Sequence, residues 1–352
     1  MRKFFAFRSL LKKGLLWMSA LGLVFVLFGG LLRFFQPSAA ITMRSSTASV
    51  GPLFGIFDDP TGTTTSGTMP SVTPGMTPSP SVTASTTPTP SGLPRFDHIV
   101  IVIEENKNYS QIIGPNTPAS YINSLAAQGM LFTNSHALTH PSEPNYLDLF
   151  SGSDQGVIGD ACDSSVYPAP DLGGQLISAK FSFAGYSEGL PAAGDTICSN
   201  SATSYARKHS PWANFVDTNG PTTNLPYTSF PTTSAGYSSL PTVSFVIPNL
   251  NNDMHDGTIQ QGDTWLQQNL DGYAQWAKTH NSLLLVTWDE NETKTGDLSN
   301  QIPTIFVGQH VQGGTNDSNI NHFSVLRTLE DMYGLPPANN AASASDILGV
   351  WN

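Results

Sequence analysis

Residues 98–106 read His-Ile-Val-Ile-Val-Ile-Glu-Glu-Asn. Five β-branched apolar residues follow one another without a polar interruption, which is typical of a strand buried on both faces of a parallel sheet. Glu104, Glu105 and Asn106 then come at the carboxyl end of the predicted strand. In open α/β sheets, ligands bind just beyond that edge. This stretch therefore predicts both the class of fold and the position of a site.

The same design occurs twice more along the chain. Residues 283–288 form an apolar run that leads into Asp289, Glu290 and Asn291. Residues 243–247 form another and lead through a loop to Asp253 and His255. Each acid pair taken alone has a simpler interpretation, that of solvated loop acids. Two pairs at one sheet edge would repel each other, so we expect a cation between them.

Helical and extended patterns alternate between these runs. Helices are predicted at 118–128, 144–150, 172–179, 264–279 and 323–333, and further strands at 130–133, 182–186 and 303–307. Gly129 is expected to end the first helix as a C′ residue, and residues 190–240 are expected to form surface loops. The alternation predicts an α/β sandwich at 95–352 with a mostly parallel central sheet and helices on both faces.

The first 50 residues have a different composition. They hold seven basic and no acidic residues, and residues 14–32 are apolar apart from Ser19. This apolar run is just long enough to span a bilayer, and the basic residues before it place the amino terminus in the cytoplasm. We predict a membrane-inserted signal anchor, with a cleaved signal peptide as the alternative. Both predict that the rest of the chain lies outside the cytoplasm.

Residues 51–94 are predicted to be a disordered linker. Of the 35 residues from 60 to 94, 25 are Pro, Thr or Ser, and none is charged. Such a segment cannot bury a core and stays extended.

The predicted domain is strongly acidic. Residues 95–352 hold 8 of the 15 Lys and Arg residues and 24 of the 26 Asp and Glu residues, a formal net charge of about −16 that argues against a nucleic-acid partner. The two cysteines, Cys162 and Cys198, also lie in this domain. In an exported protein they most simply form one disulfide, the alternative being two free buried thiols.

Residues 139–146 read Thr-His-Pro-Ser-Glu-Pro-Asn-Tyr. Ser142 stands before a helical pattern and is therefore predicted to be its N-cap. A helix N-terminus also stabilises phosphate groups and alkoxides, so Ser142 is a candidate nucleophile. The alternative is that Ser142 only caps the helix.

Histidines near these motifs are further candidates. His140 is two residues from Ser142, His255 follows a strand end, and His322 begins a predicted helix. His209 follows the basic pair Arg207 and Lys208, and this patch either contacts an anionic substrate or is a solvated loop.

Five motifs occur in a fixed order over residues 95–352: I-V-I-E-E-N, T-H-P-S-E-P-N-Y, N-D-M-H-D-G, T-W-D-E-N and H-F-S-V-L-R-T-L-E. They resemble the bacterial phosphoesterase family of the alkaline phosphatase superfamily, which contains secreted acid phosphatases and phospholipases C. The resemblance implies an alkaline-phosphatase-like sandwich and a Ser nucleophile that becomes a phosphoserine.

The resemblance also implies roles for individual residues. The implied metal ligands are Glu105, Asn106, Ser142, Asp289 and Glu290. The groups implied to hold phosphoryl oxygens or to assist the leaving group are His140, Asn145, His255 and His322. We add Asp253, Arg207 and His209 to the candidate substrate-binding residues. A second metal would need a fuller Asp and His set, so we expect one divalent ion, Ca²⁺, Mg²⁺, Mn²⁺ or Zn²⁺, with imidazoles in place of the second.

These observations predict an exported, metal-dependent phosphomonoesterase. Its substrate would be a small phosphate ester or a phospholipid headgroup, and its amino-terminal segment would contact the membrane. A phosphodiesterase of the phospholipase C type is one alternative. A non-catalytic adhesion domain on a stalk is another, although the ordered polar motifs disfavour it.

Overall fold

The computed structural model describes residues 92–162, 164–168, 170–292 and 298–352. The predicted basic tail, the apolar segment 14–32 and nearly all of the predicted linker lie outside these residues. Within them, no helix is both long enough and apolar enough to cross a membrane.

The described chain alternates short strands and helices. The strands are β1 (His98–Glu104), β2 (Met130–Phe132), β3 (Ser135–His136), β4 (Phe183–Ser187), β5 (Ser199–Asn200), β6 (Tyr205–Ala206), β7 (Asn224–Pro226), β8 (Val243–Ile247), β9 (Ser282–Trp288), β10 (Thr304–Gly308), β11 (Gly314–Asn316) and β12 (Ile320–Asn321). The α-helices are α1 (Tyr109–Ile112), α2 (Ser120–Gln128), α3 (Ser142–Ser151), α4 (Leu172–Ser178), α5 (Ser234–Tyr237), α6 (Ile259–Ala277) and α7 (His322–Met332). Short 3₁₀ helices lie at Arg207–His209, Pro211–Asn214, Tyr227–Ser229 and Asn339–Ser343.

Eight strands of the described residues form one sheet, in the order β11-β2-β10-β9-β1-β8-β4-β7. The run from β9 to β7 is parallel throughout, and β10 is antiparallel to both of its neighbours. The predicted α/β fold with a mostly parallel sheet is therefore confirmed. The three strands that precede the acidic motifs, β9, β1 and β8, are adjacent, so their carboxyl ends meet.

Side chains of β1 alternate between two apolar clusters on opposite faces of the sheet. Ile101 and Ile103 pack with residues of α3 and α7, whereas Val100 and Val102 pack with residues of α2 and α6. Helices therefore cover both faces, as predicted. Glu104 pairs in register with Trp288, which belongs to the second cluster. Because side chains in a strand point alternately to the two faces, Glu105 is directed towards α3.

Two helix ends differ from the sequence-based prediction. Gly129 ends α2, but its φ of −135° is not left-handed. A Cβ there would lie 2.0 Å from the carbonyl oxygen of Phe306, so glycine is required by the close approach of β10. Helix α6 begins at Ile259, earlier than predicted, because the side chain of Thr258 accepts a hydrogen bond from the backbone N–H of Gln261.

The prediction of surface loops at 190–240 is wrong for part of that segment. Trp212 is fully buried, and its Nε1–H donates to Asn224 Oδ1 at 2.9 Å. A Cβ at Gly185 would lie 2.0 Å from the Trp212 ring, so this glycine of β4 makes room for the indole. Because residues 190–240 are rich in Pro and Ser, their composition did not indicate that some of them belong to the core.

Cys162 and Cys198 are joined in a disulfide. The bond ties the loop that follows α3 to the segment before β5. The carbonyl oxygen of Cys198 accepts a hydrogen bond from the N–H of Arg207 at 2.9 Å. The disulfide therefore lies beside the 3₁₀ helix at Arg207–His209, which contributes residues to the site described below.

The buried carboxyl of Glu330 in α7 predicts a pH dependence of stability. Its Oε1 accepts the N–H of Ala338 at 2.8 Å, and burial raises its pKa from 4.5 to about 8. Between these values the unfolded chain loses the proton while the folded protein keeps it, so the free energy of unfolding falls as pH rises. We expect Glu330→Gln, which carries no charge at any pH, to gain stability relative to wild type between pH 5 and pH 8.

Urea denaturation at both pH values measures this gain. Asp317→Asn, at an exposed position, is the control and should show a difference that does not change with pH. The same wild-type-to-Glu330→Gln difference at both pH values would contradict the prediction.

Candidate active site

The ends of β1, β8 and β9 are held together by the backbone. The N–H of Glu105 donates to the carbonyl of Asp253 at 2.8 Å, and the N–H of Asp289 donates to the carbonyl of Glu104 at 3.0 Å. Asn106 adopts a left-handed conformation with φ 52°, which asparagine tolerates better than most residues. Its N–H thereby donates to Asp289 Oδ1 at 3.0 Å. Glu105 of the first predicted acid pair and both acids of the second, Asp289 and Glu290, consequently face one pocket.

Ser142 lies in this pocket between the two acid pairs. Its Oγ is 3.2 Å from Glu105 Oε2 and 3.2 Å from Glu290 Oε1, and the residue is 1% exposed. The prediction that Ser142 is the N-cap of the helix is wrong. Pro141 takes that position, and Ser142 is the first residue of α3. The Ser142 hydroxyl therefore does not cap the helix and points to the carboxylates instead.

Tyr146 is a residue of the site that the sequence motifs did not predict. One turn beyond Ser142, its hydroxyl donates to Glu105 Oε1 at 2.7 Å, and its ring stacks on that of His209 at a centroid distance of 5.0 Å. The four-residue spacing from Ser142 was the available signal, because residues i and i+4 share one face of a helix.

His209 is completely buried among carboxylates. Its Nε2 lies 2.9 Å from Glu105 Oε1, and its Nδ1 lies 3.3 Å from Asp253 Oδ2. Burial alone would lower the pKa of His209, but Glu105 and Asp253 raise it to about 10. Burial would likewise raise the pKa of Glu105, yet the neighbouring His209 cation holds it at about 2. His209 therefore supplies a positive charge inside the site.

The predicted basic patch at Arg207, Lys208 and His209 is not a single surface. The Nη1–H of Arg207 donates to the carbonyl of Thr196 at 2.7 Å, and Lys208 Nζ pairs with Asp160 Oδ2 at 2.7 Å. The turn of the 3₁₀ helix separates the three side chains, and of these His209 lies within the pocket.

The remaining carboxyls are strongly perturbed. Burial, followed by the charge of Glu105, raises the pKa of Asp289 well above its ordinary value. The same two causes raise the pKa of Glu290 to about 8. Burial raises the pKa of Asp253 to about 6 despite the neighbouring His209. Carboxyls that resist ionisation together are expected where a cation normally neutralises them.

The donor set fits a divalent cation. Asp289 Oδ2 is buried and has no hydrogen-bond partner among the described residues. The predicted ligands Glu105, Asn106, Ser142, Asp289 and Glu290 are brought together here, with carboxylate, amide and hydroxyl oxygens that suit Ca²⁺, Mg²⁺ or Mn²⁺. A second group, Glu105, His209 and Asp253, has side-chain N and O atoms that all lie within 4.8 Å of one another, although His209 would ligate a metal there only after losing its proton.

The other predicted histidines occupy different depths. His140 Nδ1 contacts Glu290 Oε2 directly. His255 is exposed, with Nδ1 2.8 Å from Asp256 Oδ1 and its ring 6.0 Å from that of His209. His322 is buried behind the site, where its Nε2 is 2.8 Å from the carbonyl of Asp289 and burial lowers its pKa to about 4. A neutral His322 therefore holds the backbone of Asp289.

Asn145 is engaged by the loop before α3. Its Oδ1 accepts the N–H groups of Leu138 and Thr139, and its Nδ2 donates to the carbonyls of Thr139 and Pro141. In this conformation the amide positions the loop that carries His140, and its predicted contact with substrate stays a prediction.

A cavity of about 280 Å³ opens beside His140 at the first turn of α3. Its lining includes Leu138, Thr139, His140, Pro144, Asp148, Asp154, Val157, Ile158, Phe323 and Asn340. Of these lining residues, His140 contacts Glu290 and so connects the cavity to the site.

Comparison with known proteins concerns the family of this chain. The model of the phosphoesterase family matches residues 115–336. The chain is 52% identical over 261 residues to a phosphatidylinositol-3-phosphatase of Mycobacterium tuberculosis, covering 74% of this chain and 85% of that protein. It is 30% identical over 267 residues to a phosphate-repressible acid phosphatase of Penicillium chrysogenum, covering 72% of this chain and 63% of that protein, a little under two thirds.

Among solved structures, the chain is similar to the lipoteichoic acid synthase LtaP of Listeria monocytogenes, with a TM-score of 0.52 and 11% identity over 72% of this chain and 76% of that one. At such low identity the likeness concerns the fold alone. The family match and the mycobacterial relative confirm the family that the five motifs indicated, and a phosphoric ester hydrolase is the activity they support. The chain belongs to the phosphoesterase family.

Proposed function

We propose that this chain is an exported, metal-dependent phosphomonoesterase that forms a phosphoseryl intermediate on Ser142. The observation that carries the proposal is the position of the Ser142 hydroxyl, at the first residue of α3 and 3.2 Å from a carboxylate oxygen of both Glu105 and Glu290. A serine that only stabilised the helix would have no reason to face two buried acids.

A divalent cation held by Glu105, Asn106 and Asp289 would neutralise the carboxylates and lower the pKa of the serine hydroxyl. The N-terminus of α3 adds a partial positive charge beside the reacting phosphorus. Asn106 and Tyr146 orient the Glu105 carboxylate through hydrogen bonds of 2.7 Å each, so the acid cannot turn away during the reaction.

Glu290 is suited to proton transfer, and we assign it to this role rather than to the metal alone. Its Oε1 lies 3.2 Å from Ser142 Oγ, within reach of the proton that the nucleophile must lose, and a bound cation would favour the ionised carboxylate that accepts it. The Ser142 proton passes to Glu290 as Oγ attacks phosphorus, the Oγ–P bond forms, and the P–O ester bond breaks. His140, which contacts the other oxygen of Glu290, delivers a proton to the departing alkoxide. Water then attacks the phosphoserine and gives a proton to His140, the Oγ–P bond breaks, Glu290 returns its proton to Ser142 Oγ, and inorganic phosphate leaves.

The proposed substrate is a phosphate monoester, including a phosphoinositide headgroup. The mycobacterial and fungal relatives are named as phosphatases, which favours a monoester over the diester of a phospholipase C. The cavity beside His140 would receive the alcohol. Export rests on the apolar segment 14–32 and on the disulfide, because such bonds persist in oxidising compartments. Release of inorganic phosphate, compared with cleavage of a bis-aryl phosphate, separates the two activities.

We expect Ser142→Ala to lower kcat on an aryl phosphate monoester by several orders of magnitude, because the nucleophile is lost. Thermal melting should show a folded protein. Ser120→Ala is the matched control, since Ser120 is the first residue of α2 as Ser142 is of α3. If a folded Ser142→Ala variant kept more than about a tenth of wild-type kcat, a loss of only about 1.4 kcal/mol, Ser142 would not be the nucleophile.

Removal of the cation should abolish turnover. After exhaustive dialysis against a chelator, we expect phosphatase activity to disappear and one member of the series Ca²⁺, Mg²⁺, Mn²⁺ and Zn²⁺ to restore it, because the carboxylates then regain their counter-charge. Elemental analysis of the dialysed and the restored protein provides the control. Full activity in protein shown to be free of metal would rule out the proposed role of the cation.

A further inference from the structure

A salt bridge lies at the entrance of the site and has no part in the mechanism above. Lys208 Nζ is 2.7 Å from Asp160 Oδ2, with side-chain exposures of 15% for Lys208 and 32% for Asp160. Lys208 is the residue before His209, whose ring lies in the centre of the pocket. Both members of the pair are thus close to the reacting groups and partly open to solvent.

The second oxygen of Asp160 occupies a position next to the nucleophile. Asp160 Oδ1 accepts the backbone N–H of Glu143 at 3.0 Å, and Glu143 is the residue after Ser142 in the first turn of α3. This N–H has no acceptor within the helix. In the free enzyme, a carboxylate of the chain therefore takes up both an N–H beside Ser142 Oγ and the Lys208 ammonium.

A phosphoryl group on Ser142 needs donors of the same kind. Its non-bridging oxygens carry the charge that develops during transfer, and backbone N–H groups and cations stabilise that charge. Lys208 Nζ and the N–H of Glu143 already lie on the two oxygens of one carboxylate, that of Asp160, at 2.7 Å and 3.0 Å. Lys208 is consequently near enough to act on a phosphate held in place of that carboxylate.

The disulfide holds the two partners together. Asp160 is two residues before Cys162, and Cys198 accepts a hydrogen bond from Arg207, the neighbour of Lys208. The covalent link keeps the Asp160 loop beside Lys208 even when the ion pair opens. A partly exposed ion pair contributes little to stability, so an incoming anion can replace the carboxylate at small cost.

We propose that Lys208 binds the phosphoryl oxygens of the substrate and that Asp160 is its exchangeable counterion, which the phosphate displaces from Lys208 and from the N–H of Glu143. This inference rests on the proposed function, because it assigns the charge recognition of the same site. It makes Asp160 an internal competitor whose carboxylate weakens the binding of every phosphate ligand.

The alternative is that the pair only fastens the loop. Both ideas predict some loss of thermal stability when either residue is replaced, so melting temperatures do not separate them. They differ in the affinity for phosphate. If the pair only fastens the loop, replacing either residue leaves the affinity for phosphate unchanged. If Asp160 is an exchangeable counterion, replacing Lys208 lowers that affinity and replacing Asp160 raises it.

The test is titration of inorganic phosphate into the metal-loaded protein by calorimetry at constant pH and salt. We expect Lys208→Gln to raise the Kd by about ten-fold or more, because a charge-assisted hydrogen bond is lost. Asp160→Asn should lower the Kd by about three-fold or more, since the competing charge is removed while the acceptor for Glu143 remains. Lys208→Arg should stay within about three-fold of wild type, because the charge is retained.

Matched controls remove the same charges elsewhere. Asp317→Asn alters an exposed acid outside the site, and Lys278→Gln alters a lysine on the surface of the domain. Both should leave the Kd for phosphate unchanged. The KM for an aryl phosphate should move in the same direction as the Kd in the Lys208 and Asp160 variants.

The outcomes separate this inference from the proposed function. If Ser142→Ala abolishes turnover but the Kd for phosphate stays within about two-fold of wild type in both Lys208→Gln and Asp160→Asn, the inference is wrong and the proposed function stands. If Ser142→Ala keeps its kcat, the proposed function fails, and the phosphate titrations still decide whether Lys208 binds the anion. A tighter Kd in Lys208→Gln, or a weaker one in Asp160→Asn, would also overturn the inference.

Discussion

Repulsion among buried carboxylates is the constraint on which the rest of this site depends. Glu105, Asp253, Asp289 and Glu290 all lie in one pocket from which solvent is nearly excluded. Such a cluster cannot be fully ionised unless positive charge lies within it. The surroundings of the acids, from the N-terminus of α3 to the pairing of His209 with Glu105, supply that charge. The donor set that remains suits a divalent cation.

The sheet brings these acids together and fixes the distances between them. Strands β9, β1 and β8 are neighbours and parallel, so their carboxyl ends deliver Asp289, Glu105 and Asp253 to one edge. Backbone hydrogen bonds between the strand ends prevent the acids from separating. Alternation then directs Glu104 to the opposite face, where burial raises its pKa well above the ordinary value. Only one acid of the β1 pair is therefore available to the pocket.

The amino-acid sequence by itself determined six of the eight strands of the large sheet, most helices of the described residues and the edge at which the site forms. Local periodicity indicates these features. Unbroken apolar runs at 98–103 and 283–288 indicate buried strands. The polar residues that follow must lie where the strands end. The motif around Ser142 indicated the helix that begins there. Its role as N-cap was wrong because Pro141, held in extended conformation, takes that position, and residue type alone does not distinguish adjacent positions at a helix start.

Only the tertiary structure decided which side chains meet across long sequence distances. His209 lies more than a hundred residues from Glu105 in the chain, and the loop-like composition around it conceals that it is buried against that acid. The contact of Asp160 with Glu143 and Lys208, and the packing of Trp212 against Gly185, depend likewise on how loops fold back over the sheet. Local patterns report which face of an element is apolar, whereas the partner of a polar group is set by chain reversals that have no periodic signal.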